Sequence, residues 1–281
     1  MTCRMARLGI LGLLAGLGAS PALAGVSIGI NFVNTSDGGV QDSQAASLGA
    51  NEQAGAPGYE QANWNNLGRW GQSVALKASS GAASGVSATW DSANTWNTGA
   101  NTGTPNGKLM NGYIDATGQA NNNSTPYQFW WNENKPEVYV KGLGQWLAAQ
   151  NASSYQVVVY TDGDVAEGRQ SEYWLQSVSD SNDPPQALGG DLSSHVFVSD
   201  TANFSGTFTQ VPLAANSLEA AGTGNYMVFT GLTADSFVLR TEEHTFRACI
   251  NGLQIVAVPE PVSIGLLGVG ALGFLARRRG A

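Results

Sequence analysis

The chain has 281 residues, with 13 Lys and Arg against 21 Asp and Glu, a formal charge of −8 and only 12% charged residues. This acidic balance argues against nucleic acid as a partner and against binding to anionic lipid. The scarcity of amphipathic helical stretches and of any repeat of 20–50 residues argues against a helical bundle, a solenoid or a propeller.

In chain order, residues 1–24 read as a secretory signal peptide. Arg4 and Arg7 supply a positive start, Leu8 to Gly18 an apolar run, and Ala22-Leu23-Ala24 a cleavage site before Gly25. The partner this implies is the secretion translocon. Cys3 lies upstream of the apolar run, so a lipid-modified cysteine is not expected. Cys249 is then the one cysteine of the mature chain, which excludes an intramolecular disulfide, and its apolar surroundings predict a buried, inert thiol.

Residues 25–257 form the body, 233 residues read as one domain. Removing five terminal arginines and Glu260 leaves 8 basic against 20 acidic residues, a formal −12. Strands are expected at Val26–Val33, Val74–Ala78, Val86–Trp90, Leu109–Ile114, Glu137–Lys141, Tyr155–Thr161, Glu172–Val178, His195–Val198, Gly206–Val211, Asn225–Thr230, Ser236–Arg240 and Cys249–Val256. One or two helical turns fit Leu143–Gln150. In the first strand Ile28, Ile30 and Phe32 alternate with Ser27, Gly29 and Asn31. The last strand is apolar on both faces, which predicts a central position, and pairing beside the first strand would tie the start of the body to its end. The fold class is all-β, a β-sandwich. Long polar loops are expected at Ser36–Asn66, Asp91–Asn106, Asn121–Asn123 and Asp180–Gly190.

Chemistry is sparse. His195 and His244 are the only histidines, and no zinc spacing, nucleophile elbow or phosphate loop occurs. Glu133, Glu137, Glu172 and Glu219 are equivalent as candidate acids, so no catalytic residue is assigned and no enzyme is expected. Asp162-Gly163-Asp164 with Glu167 offers oxygens suited to a structural calcium ion, or simply a tight turn. Trp64, Trp70 and Trp96 lie in or near polar loops with Asn65 and Asn94. They offer aromatic faces and amides for an extracellular polysaccharide, or satellite core beneath the loops. Trp130 and Trp131 are adjacent, so in an extended segment they point to opposite faces.

Residues 258–281 are unlike the body. Pro259-Glu260-Pro261 excludes a continuous helix. It precedes a 15-residue apolar run, Val262–Ala276, and the basic stop Arg277, Arg278 and Arg279. The run is slightly shorter than the roughly 17–25 residues of a spanning helix, and arginine can snorkel to cover the difference. A short transmembrane helix with its basic end in the cytoplasm is expected.

The order of motif, apolar run and basic stop resembles the PEP-CTERM sorting signal of Gram-negative bacteria. The resemblance implies an exosortase-type processing enzyme as partner, transient membrane anchorage, cleavage near Pro259-Glu260-Pro261, and delivery to the cell surface or an exopolysaccharide-rich matrix. The strand rhythm of the body also resembles jelly-roll, galactose-binding-like modules, which implies a surface-exposed sandwich.

Overall fold

The fold is taken from a computed structural model that describes residues 26–115, 135–164, 168–179, 186–200, 202–245 and 247–260. The expected signal peptide, Trp130, Trp131, Asn121–Asn123 and the apolar tail lie outside these residues. In chain order the first half contains β1 (Ser27–Phe32), β2 (Asn65–Leu67), β3 (Gly71–Lys77), β4 (Ala83–Asp91), β5 (Asn94–Asn97), α1 (Pro105–Leu109), β6 (Gly112–Asp115), β7 (Glu137–Lys141) and α2 (Leu143–Ala149). The second half contains β8 (Ala152–Tyr160), β9 (Gln170–Ser179), β10 (Gln186–Asp191), β11 (Val196–Ser199), β12 (Gly222–Thr223), β13 (Tyr226–Leu232), β14 (Ser236–Glu243), β15 (Cys249–Ile250) and β16 (Gly252–Pro259).

Two large sheets face each other. The first has the order β13-β8-β16-β1-β2, and the second β12-β11-β9-β14-β7-β4-β3 with β10 on β9. Alternation explains the packing. Ile28, Ile30 and Phe32 of β1, Tyr155, Val157 and Val159 of β8, and Leu253, Ile255 and Ala257 of β16 point into the sandwich. There they meet Val138 and Val140 of β7, Tyr173 and Leu175 of β9, and Phe237 and Leu239 of β14. A smaller sheet, β15-β6-β5, sits beside these two.

The last strand occupies the centre of its sheet, as its two apolar faces predict. It pairs antiparallel with β1, Ser27 opposite Val256 through Asn31 opposite Gly252, and with β8 on its other side. Its outward face is also buried, because the 33–64 segment folds over it. Leu48, Ala54, Ala56 and Trp64 of that segment pack with Val158, Tyr160, Leu109, Met110, Phe204 and Tyr226 in a second core. Gly29 leaves room for this cover: a Cβ there would lie 2.6 Å from the Trp64 ring.

Polar side chains fasten the cover. The Tyr160 hydroxyl accepts from Ala56 N (3.1 Å) and donates to Gln254 Oε1 (3.0 Å). Gln254 Nε2 donates to Tyr59 O (2.7 Å) and Gln61 Oε1 (2.9 Å). Asn66 accepts from Leu48 N (2.8 Å) and from Asn31 Nδ2 (2.9 Å).

Several expectations are corrected. The stretches expected as loops at Asp91–Asn106 and Asp180–Gly190 contain β5 and most of β10. Leu109–Ile114 is not one strand: Thr104 caps a short helix, accepting from Gly107 N (3.1 Å) with Pro105 at its start, and only Gly112–Asp115 is extended. Gly206–Val211 forms no strand. It makes one isolated bridge, Gln210 with Tyr226, while Phe204 and Phe208 turn onto the outer core. Cys249–Val256 breaks at Asn251, where the chain passes from the small sheet to the large one. Trp64 is only 1% exposed, so Trp64→Ala is expected to cost about 3–5 kcal/mol of stability, measured by urea denaturation.

Candidate functional site

Three places carry functional groups: the end of β16, the surface around Trp96, and the histidine cluster on β9. At the first, the central strand runs without a spacer into the proline motif. Ala257 N donates to Val26 O (3.1 Å), and Ala257 is opposite Tyr155 in β8. Pairing with β8 continues through Val258 and, past a bulge, to Pro259 opposite Ala152. Proline has no N–H to offer a ladder, which suits a strand's last position. Pro259 and Glu260 are exposed, whereas Ala257 is buried. Pro261 and Arg277, Arg278 and Arg279 lie outside the described residues.

The second place gathers residues from β5, β6 and two loops. Trp96 of β5 is 44% exposed and lies beneath the Arg247 guanidinium, 5.6 Å from its ring centroid. Arg247 is held by Tyr113 Oη (3.2 Å), Asp164 Oδ1 (3.2 Å) and Asp115 Oδ2 (3.3 Å), and Arg169 shares Asp164 (3.1 Å). Asp115 is fully buried, and burial raises its pKa from the ordinary 3.8 to about 8 although both arginines act to lower it. Burial works to raise Asp164 as well, but Tyr113 and the two arginines outweigh it and hold the group below its ordinary value. Beneath Arg247, beside Gly163 and Cys249, is a cavity of about 10 Å³, room for about one water molecule. The Cys249 thiol is buried, and burial pushes its pKa well up, as expected of an inert cysteine.

The polysaccharide candidates separate. Trp64 donates its indole N–H to Gln61 O (3.0 Å) inside the outer core. Asn65 bridges the two sheets through Gly29 O (2.8 Å) and Lys77 O (3.0 Å). Both are buried and present nothing to a ligand, because the 33–64 segment closes over them. Trp70 is half-buried against Gly38, where no Cβ would fit. Trp96 and Asn94 remain together on one face of β5.

The acidic loop is also divided. Asp162 turns inward and accepts from Phe204 N (2.8 Å), and burial raises its pKa to about 7. Asp164 faces two arginines, and Glu167 lies outside the described residues. Among the described residues no group of three or more His, Cys, Asp or Glu side chains is placed to hold a metal ion.

The third place has no counterpart in the sequence reading. Both histidines converge on Glu172 of β9: His195 Nδ1 contacts Oε1, and His244 Nε2 is 2.8 Å from Oε2. His195 Nε2 also meets Asp191 Oδ2 (3.2 Å). Trp174 stacks on His195 (4.7 Å) and Phe197 on His244 (5.4 Å). These residues come from β9, β10, β11 and the end of β14, so linear spacing carried no signal of the cluster. Burial works to lower the His195 pKa, but Glu172 and Asp191 outweigh it and raise the group above 6.5.

Topologically the chain is an all-β sandwich whose central strand leads straight into its C-terminal signal. A sequence profile of the PEP-CTERM protein-sorting motif matches residues 257–279, so the match begins inside β16. No curated protein and no solved structure matches the chain. The motif implies export, transient membrane anchoring at the C-terminus and processing by an exosortase-type enzyme. No described helix is long and apolar enough to cross a membrane, and Val262–Ala276 lies outside the described residues.

The raised groups fix a pH dependence. Asp115 binds its proton more tightly folded than unfolded, so stability falls as pH rises from 3.8 toward about 8. His195, raised from 6.5, contributes stability that is complete below that value and is lost as pH climbs through the folded one. The two act in the same direction. The melting temperature is expected to be higher at about pH 5 than at about pH 8, with Asp115→Asn and His195→Gln each narrowing the difference.

Proposed function

We propose that this protein is a non-catalytic component of the cell surface or of an exopolysaccharide-rich extracellular layer, to which an exosortase-type enzyme delivers it after acting near Pro259-Glu260-Pro261. The observation that carries this reading is the continuity of β16 with the sorting motif. Only Glu260 and Pro261 separate the last paired residue of a folded acidic body from the apolar run of a removable membrane address. A formal −12 on residues 25–257 keeps such a body soluble outside the cell once the tail is gone. The role is structural or adhesive.

The test is release in a host that carries the processing enzyme. The wild-type chain is expected in the medium or surface fraction, with a mass that places its new C-terminus near residue 260. The Pro259→Ala, Pro261→Ala double variant is expected to stay with the membrane. Equal release of both would remove the reading.

A second reading, carbohydrate binding, is favoured by one observation. Trp96 is one of two large hydrophobics exposed among the described residues, and a fixed guanidinium covers part of it. Its remaining surface, with Asn94 alongside, suits a pyranose ring. Trp96→Ala is then expected to abolish saturable binding to surface polysaccharide while costing less stability than Trp64→Ala, because Trp96 is 44% exposed and Trp64 only 1%. Unchanged binding would leave the structural role alone.

A further inference from the structure

Both ends of the body leave the sandwich at the same place. Antiparallel pairing sets Ser27 opposite Val256, and Ala257 N bonds to Val26 O, so the start of β1 and the finish of β16 are neighbours. The β3–β4 turn joins them there. Ser79 N donates to Ser27 O (2.7 Å), and Ser27 N to Ser79 Oγ (3.2 Å). α2 completes this end, since it leads into Ala152, the residue opposite Pro259, and packs on β4 and β8.

The segments that build this end, residues 26–27, 78–85 and 142–153, contain no charged residue. They are Ser, Gly, Ala, Asn, Gln and a few buried apolar side chains. Ser80, Ala82, Ala83, Gln145, Ala148, Ala149 and Asn151 are exposed. Among the described residues the charges that border it are Lys77 and Lys141 at strand ends, Asp235, which accepts from Gly144 N at the start of α2, and Glu260. In a body with a formal −12, the described residues of this end, two Lys against Asp235 and Glu260, carry no net charge.

Distance then decides what lies against it. Between the last strand pairing, at Pro259, and the first residue of the apolar run, Val262, are Glu260 and Pro261. Three steps of fully extended chain reach about 10 Å. One headgroup layer is about 5–8 Å deep, from the difference between full bilayer and hydrocarbon thickness. A tail anchored from Val262 therefore leaves the end of β16 within a few ångströms of the headgroups. An acidic face held there would be repelled by an anionic leaflet, and a neutral one is not.

We propose that this end of the sandwich, α2 with the β3–β4 turn, rests on the lipid headgroup surface while the tail is anchored, with β16 pointing into the membrane. The surface offers no large apolar side chain for insertion, so the short tether imposes the contact through effective concentration. This rests on the sorting reading above, and the test separates the two.

The protein is purified from an exporting host without an exosortase-type enzyme, leader removed and tail intact. It is reconstituted into phosphatidylcholine–phosphatidylglycerol vesicles that contain nitroxide-headgroup lipid. Fluorophores are placed singly through Ala82→Cys, Ala149→Cys, Ser205→Cys and Gly268→Cys, with the buried Cys249 left in place. Ser205 adjoins Phe204, which bonds to Asp162 past the other end of β8, about 30 Å away along the strand. Labels at 82 and 149 are expected to be quenched, the label at 205 not, and the label at 268 to report hydrocarbon. A flexible Gly/Ser spacer of about ten residues after Glu260, some 30 Å extended, is expected to relieve quenching at 82 and 149 and leave 268 unchanged.

If 268 reports hydrocarbon while 82 and 149 are no more quenched than 205, the docking proposal fails and the anchoring reading stands. If 268 remains in water, anchoring itself fails and docking with it. Quenching that appears only when the processing enzyme is added would overturn the lipid contact in favour of a protein one.

Discussion

The pairing of the first strand of the body with its last is the constraint on which the rest depends. β1 and β16 lie side by side within one sheet, and the described strands between them in the chain are arranged around that closure. Their inward residues supply one wall of the main core, and their outward residues form the floor on which the 33–64 segment lies. The same register brings Val26 beside Ala257, which sets the shared exit of the two chain ends. Loss of this pairing would open the main core, the outer core and the sorting junction together.

The outer layer explains a composition that otherwise looks like loop. Asn31, Asn65, Asn66, Asn251 and Gln254 are all buried, and each bonds to backbone or to another amide. Asn251 accepts from Asp162 N and donates to Met110 O and Gly112 O where the chain changes sheets. Leaving a buried amide group unpartnered costs about 1–3 kcal/mol, and of these five only Asn31, through its Oδ1, has a buried atom without a hydrogen-bond partner among the described residues. Neutral amides thus fasten the outer layer to the sheet beneath it, joined there by the buried Asp162, which accepts from Phe204 N.

What could be read from the sequence follows from the range of the signal. β7, from Glu137 to Lys141, and the cores of β1, β8 and β9 were legible because alternation is local and β-branched residues mark it. β2 (Asn-Asn-Leu), β5 (Asn-Thr-Trp-Asn) and β12 (Gly-Thr) were not, because they are short and polar and become strands only through their partners. Trp64 and Trp96 sit in similar Asn-rich surroundings. One is core and the other surface because of how a thirty-residue segment folds back, which no local pattern records. The meeting of Glu172, His195 and His244 is equally long-range. The sorting tail was legible for the opposite reason: its motif, apolar run and basic stop are contiguous in the sequence, and the profile matches them as one stretch, residues 257–279.

The central place of β16 also sets a clock for folding. A strand pair that joins residue 27 to residue 256 closes a loop of more than two hundred residues, and such long-range closure is slow because its entropy is lost before its contacts are gained. During export, β1 emerges first, and once β2 and β13 have paired with their neighbours, β1 and β8 each wait with one edge open until the last strand of the body arrives. The residues that follow it are those of the membrane tail. Completion of the sheet and arrival of the tail at the bilayer are therefore nearly simultaneous events. The tail that later serves as an address can hold the unfinished sandwich apart from other copies during the interval in which its open strand edges are most prone to mispairing.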